Sequence, residues 1–254
     1  MAKPYSKHAL RQVANLCIKA ARVLMASGAE TARVENTVSY IGRACKIPVE
    51  SFATPTGITI TVGGEKTITV VTRVKTRTID LDKVILINNI SRALAAGKIP
   101  FQVAERRVDE VLHQKPIFSE WLIYFSQAVC CAGFALIFEP NPRLIPPALL
   151  VGLLAKYVEK KCVTLPPFLL FFINALAVTL FANLYCNHIF PVEHWALVLA
   201  GIVPLLPGLA LTNAIADLMA GELVAGMART IDALLTGAGL AAGAAAGISL
   251  GQIL

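Results

Sequence analysis

Asn213, Asp217, Glu222 and Arg229 stand, with Thr212, in an otherwise apolar stretch at residues 203–229, VPLLPGLALTNAIADLMAGELVAGMAR. Ionisable groups against a membrane span are expensive and by default mark an ion or substrate path. Asn213 and Asp217 are four apart and share one helical face, while Glu222 and Arg229, seven apart, share another. On a transport reading, Asp217 or Glu222 is the carboxylate that takes up and releases protons during transport, and Arg229 meets a carboxylate on the substrate. The bland reading is an interfacial cytoplasmic helix whose charges face water, with Arg229 paired to Asp232 or acting as a positive-inside anchor. Pro207 and Gly208 add a backbone signal. Proline removes a hydrogen bond and glycine relaxes the chain, so a hinge or unwound point is expected, with backbone groups turned to substrate. A plain kink is the alternative.

A second polar set lies in the first half. Glu30, Arg33 and Glu35 can form an ion-pair network, or a gate or sensor at the inner mouth of a pathway together with the turn Thr54-Pro55-Thr56-Gly57 and its two hydroxyls. The same threonines could serve a hydrolase as nucleophiles, but no Ser-His-Asp pattern accompanies them, and His8 and His113 have no partner nearby in sequence. No enzyme and no catalytic residue is therefore expected. The alternative function is a membrane-anchored sensor or hydrolase acting through the N-terminal part. The six cysteines show no CxxC spacing, and adjacent Cys130 and Cys131 sit in an apolar run. Buried thiols in a reducing compartment are expected, with no metal and no cofactor; His188 and His194 read as interface residues.

The elements that must position these groups divide at about residue 118. Apolar residues at Leu10, Val13, Leu16, Cys17, Ala20, Ala21 and Leu24 recur with helical spacing, and Gly28 can stop that helix. A second helix is expected over 31–45. Alternation at Ile58, Ile60, Val62, Ile68 and Val70 predicts a β-hairpin over 57–74, turning at Gly63-Gly64. Asp80 and Asp82 suit the start of a third helix ending at Gly97, and a short fourth helix leads to Pro116. Residues 1–118 thus read as a small cytoplasmic α+β domain.

Residues 119–254 read as a membrane domain with five transmembrane helices, at 121–138, 144–158, 165–185, 194–211 and 233–254. The second is short and has Pro146-Pro147 near its start. Composition agrees: 56% of the 254 residues are hydrophobic, and mean hydropathy is +0.66. Residues 1–118 hold 18 of the 23 Lys and Arg and 9 of the 16 Asp and Glu, leaving 5 and 7 for the remainder. The basic residues lack a clustered stripe with aromatics, so no nucleic-acid partner is expected; they fit a cytoplasmic domain beside membrane lipid. Lys160, Lys161 and Arg229 face the same side as that domain, while the loops 139–142 and 186–193 lack Lys and Arg. The N-terminus is then cytoplasmic and the C-terminus outside. No removable signal peptide is expected. In the last span Gly239, Gly243, Gly247 and Gly251 recur every four residues, a groove for close helix packing within this chain or against a partner, a second copy included.

Three ordered stretches, GAETARVE at 28–35, FATPTGITITV at 52–62 and PGLALTNAIADLMAGELVAGMAR at 207–229, resemble the threonine/serine exporter family over nearly the whole chain. The resemblance implies a bacterial inner-membrane exporter without a cofactor. Because the chain stops at Leu254, before the second membrane block of the long forms, it implies the larger subunit of the split form, partnered by a small all-membrane companion subunit. The split pair is associated with succinate export in enteric bacteria, and the fused form with threonine and serine export. The implied substrate is accordingly a small carboxylate-bearing metabolite, either a dicarboxylate or an amino acid.

Overall fold

A computed structural model of the chain describes residues 5–74, 78–115, 117–189 and 194–253. Pro116, the 190–193 part of the expected outer loop and Leu254 lie outside the described residues. The chain packs as two compact units, Met1–Lys115 with Leu209–Thr230, and Pro116–Gly208 with Ile231–Leu254.

The first unit opens with α1 (Lys7–Ala26) and α2 (Thr31–Ala44), followed by strands β1 (Val49–Thr54), β2 (Gly57–Gly63) and β3 (Thr67–Arg73), then α3 (Leu81–Ala95) and α4 (Phe101–His113). The sheet is antiparallel in the order β1-β2-β3. Ile58, Ile60 and Val62 of β2 point inward with at most 2% exposure, and the threonines between them point away, as period-two alternation requires. Leu10, Leu16 and Leu24 of α1 meet Val34, Val38 and Ile41 of α2 and Ile87 of α3 in the same core. The hairpin and all four helices follow the sequence expectation, and Asp80 caps α3 by accepting from the Lys83 N–H at 3.1 Å. Strand β1 is an addition. Thr54-Pro55-Thr56-Gly57 is a turn, as expected, and it joins β1 to β2 with Thr54 paired to Gly57. Proline serves there because the turn needs no donor at that position.

In the second unit, α5 (Glu120–Phe138), α6 (Ile145–Lys161), α7 (Pro167–His188) and α8 (His194–Ile202) pack with the later part of α10 (Leu223–Gly251). The core is lined by small residues, among them Ala132, Ala135, Ala148, Ala155, Ala182, Ala196 and Ala200. A Cβ added at Gly152 would lie 2.6 Å from the Ala128 Cα, so α5 and α6 approach to backbone contact. Among the described residues, α5, α7 and α10 are long and apolar enough to cross a membrane, and a fourth span arises if α8 and α9 (Gly208–Met219) count as one broken helix. The helix expected over 144–158 is α6, which has 17 residues against the ~20 of a simple crossing. Its Pro146 and Pro147 sit in the first turn, where their missing N–H groups break no intrahelical bond.

The glycine stripe of α10 lies against α7. Gly239 and Gly243 face the carbonyl oxygens of Phe168 and Phe172, Gly247 faces Thr179, and Gly251 faces Asn183, whose Nδ2 donates to the Gly247 carbonyl at 3.0 Å. Gly237, two residues before Gly239 and so on the other side of the helix, faces open space. Gly243→Ala should therefore lower the stability of the full chain by about 1–3 kcal/mol, read as a fall in its thermal midpoint in detergent. Gly237→Ala should leave the midpoint unchanged or raise it, because only helix propensity changes.

Candidate functional site

Two tight helix reversals build the site, both within the first unit. Helix α1 ends as a Schellman motif: Gly28 adopts φ +81°, its N–H donates to Met25, and the Ala29 N–H donates to Leu24. The chain turns at once into α2, whose N-cap residue Glu30 makes no side-chain capping bond. Helix α9 ends in the same way. Gly221 adopts φ +86°, its N–H reaches the Leu218 carbonyl, and the Glu222 N–H reaches the Asp217 carbonyl at 2.9 Å. The Glu222 carbonyl then accepts the Gly226 N–H and opens α10. Gly226 packs so closely on Leu218 that an added Cβ would come within 2.6 Å of its Cγ. The 203–229 stretch is thus a broken helix followed by a helical hairpin, where the sequence reading had one continuous helix past Gly221. At its start, Leu206 is extended (φ −61°, ψ 138°), the conformation a following proline favours, so the helix breaks before Pro207 and resumes at Gly208.

The hairpin grips the α1–α2 turn through three side chains. Asn213 Nδ2 donates to the Gly28 carbonyl at 2.9 Å, and Arg229 Nη2 donates to the Ala29 carbonyl at 2.8 Å. Between them sits Asp217, with 0% exposure. Its Oδ1 accepts the Thr31 N–H at 2.9 Å, and its Oδ2 accepts the Thr31 hydroxyl at 3.0 Å and lies 3.1 Å from Arg229 Nε. Asp217 thus performs for α2 the capping that Glu30 does not, meeting the positive end of the helix dipole. A buried carboxylate requires such compensation: taking away one member of a buried pair typically costs about 3–5 kcal/mol. Chemically, the arrangement is a guanidinium, an amide N–H and a hydroxyl converging on one carboxylate.

The other expected site residues distribute around this centre. Glu30 and Arg33 form an ion pair at 3.4 Å, whereas Glu35 turns to the sheet edge and accepts the Ala53 N–H at 2.8 Å. Burial pushes the Glu35 carboxyl above its ordinary range; the Ala53 donor opposes this, and the charges of Glu222 and Asp217 add to it. In the turn, the Thr54 hydroxyl is engaged by the Gly57 carbonyl at 3.0 Å, and the Thr56 carbonyl accepts the Val74 N–H. Sequence reasoning missed Thr31 and Gly221. Thr31 stood inside the first motif as a hydroxyl at a helix start, and Gly221 stood between two apolar helical runs, so both signals were present but weak.

The raised Glu35 carboxyl has a definite sign in stability. The folded state holds the Glu35 proton more tightly than the unfolded state, so stability falls as pH rises from the ordinary glutamate value through the raised one. Above that window the full penalty remains. Glu35→Gln should flatten this decline and leave stability at neutral pH equal to or above that of the parent, since the amide oxygen can still accept from Ala53. Thermal melts of the full chain across pH 4–8 would check it; an unchanged slope would rule out Glu35 as the source.

Comparison with known proteins bears on the same residues. The family model described as "Putative threonine/serine exporter" matches residues 15–251. The chain is 26% identical over 233 residues to "Probable succinate transporter subunit YjjP" of Klebsiella aerogenes, covering 89% of each chain. The protein of that name from Escherichia coli K12 is 26% identical over 232 residues, covering 89% of this chain and 90% of its own. "Probable threonine/serine exporter" of Mycobacterium tuberculosis is 26% identical over 242 residues, which cover 92% of this chain and 45% of that protein. No solved structure matches. The matched segment contains both helix reversals and the Asp217 site, and the chain belongs to the threonine/serine exporter family of transporters.

Proposed function

We propose that this chain is a subunit of a bacterial inner-membrane exporter for small carboxylate-bearing metabolites, either succinate and related dicarboxylates or threonine and serine. It works with a small all-membrane companion subunit. The relatives named as succinate transporter subunits are matched over about nine-tenths of their length, and the mycobacterial exporter over less than half of its own, which supports a second membrane block supplied by another chain. In this reading α6 and the broken α8–α9 pair both cross, making five spans, with the N-terminus cytoplasmic and the C-terminus outside. Residues 1–118 form the cytoplasmic part.

The observation that carries the reading is the fully buried Asp217 carboxylate on Arg229 and Thr31. A charge held in that way by two distant segments can couple proton uptake to movement, since protonation removes the ion pair and weakens the cap on α2. Asp217 is the coupling carboxylate, with Asn213, Glu222 and Arg229 beside it and the Pro207-Gly208 break upstream. Glu30, Arg33, Glu35 and the Thr54–Gly57 turn form the inner gate, and the glycines of α10 hold the spans together.

Efflux of succinate, threonine and serine from cells with and without this chain and its companion tests the reading. At least one should leave faster when both subunits are present, and Asp217→Asn should abolish the gain. Equal efflux of all three with and without the pair would sink the transport assignment.

A further inference from the structure

The groups gathered on Asp217 are of the kinds that receive a carboxylate. Arg229 presents its guanidinium from α10, and Thr31 presents both its N–H and its hydroxyl at the start of α2. These are the groups proteins use for carboxylates: a charged planar donor, a helix N-terminal amide and a short hydroxyl. The site is more than a helix end, because the guanidinium comes from a separate element and a carboxylate already sits there with both oxygens engaged. That occupant is the chain's own. Arg229 is itself well oriented: its Nη2 donates to the Ala29 carbonyl, and its Nε lies 3.1 Å from Asp217 Oδ2 as an ion-pair contact. Its position therefore does not depend on the aspartate alone. Nor does the turn, since Asn213 also holds it through the Gly28 carbonyl.

We propose that Arg229 and Thr31 form a substrate carboxylate site that Asp217 fills in this conformation, and that an exported carboxylate displaces Asp217 from it. Asp217 is then an internal competitor that keeps the site closed in the absence of cargo. The exchange balances when the displaced Asp217 takes up a proton, because one carboxylate then replaces another on the same donors and no uncompensated charge is left buried. Differential affinity, rather than gross attraction, decides which one is bound. The inference rests on the reading of the chain as an exporter subunit and adds to it the residues that receive the substrate.

Equilibrium binding of radiolabelled succinate, threonine and serine to the purified full chain with its companion separates this role from a structural one. Asp217→Asn and Arg229→Gln break the same ion pair, so a merely structural pair predicts shifts in the same direction. Competition predicts opposite shifts: tighter binding in Asp217→Asn, because the competitor is gone, and weaker binding in Arg229→Gln, each roughly tenfold. Thr31→Val should also weaken binding while Thr31→Ser retains it, which keeps the test available if Asp217→Asn does not accumulate. Matched shifts in the two charge variants, unchanged affinity in Thr31→Val, or no binding of any probe to the parent would overturn the proposal. Absence of efflux in the parent cells would instead sink the exporter reading, whereas normal efflux with matched binding shifts sinks this inference alone.

Discussion

A buried carboxylate cannot stand alone in a low-dielectric interior, and this constraint organises the first unit. Asp217 is withdrawn from solvent and must find its compensation within the fold, which it does on Arg229 and the start of α2. The geometry needs two reversals that only left-handed backbone can make tightly, at Gly28 and Gly221. It also needs the close approach at Gly226, so that α9 and α10 present Asp217 and Arg229 to the same point. Glu30 leaves the N-terminus of α2 without a side-chain cap, and a residue 186 positions from Thr31 supplies one. The local deficiency and the distant charge answer each other.

The sheet extends this arrangement at its edge. Among the described residues strand β1 has no neighbour beyond it in the sheet, so its outward Ala53 N–H requires another acceptor, and Glu35 of α2 provides it. Glu35 also lies within electrostatic reach of Glu222 and Asp217. The two segments GAETARVE and PGLALTNAIADLMAGELVAGMAR are therefore one electrostatic neighbourhood, and the FATPTG turn joins it through the backbone of β1.

The second unit is governed by a different constraint. Its helices gain little from burying apolar surface if their surroundings are themselves apolar, so contact depends on how closely backbones can approach. Alanine and glycine supply that closeness at Gly152 against α5, at Gly201 between Val151 and Val178, and along α10 against α7. Asn174 and Asn183 of α7 add side-chain bonds to the Ala155 and Gly247 carbonyls, tying neighbouring helices where bulkier groups would separate them.

Much of this was legible in the linear chain because it depends on local periodicity and composition. Helical spacing marked α1 to α4, alternation marked β2 and β3, and long apolar runs marked α5, α7 and the later part of α10. The glycine stops at Gly28 and Gly97 were readable because a helix that ends in a left-handed residue favours glycine there, whatever its distant neighbours. Strand β1 escaped because VESFAT lacks clean alternation and ends against proline. The break at Gly221 escaped because alanine and leucine on both sides favour a continuous helix. Candidate residues such as Asp217 and Arg229 could be named from their polarity in an apolar setting, but not their relation to Thr31, Gly28 and Ala29. Periodicity is a property of neighbours in sequence. The partner of a buried charge is set by which distant backbone donors the fold leaves unsatisfied, and that was decided only when the α9–α10 hairpin closed on the α1–α2 turn.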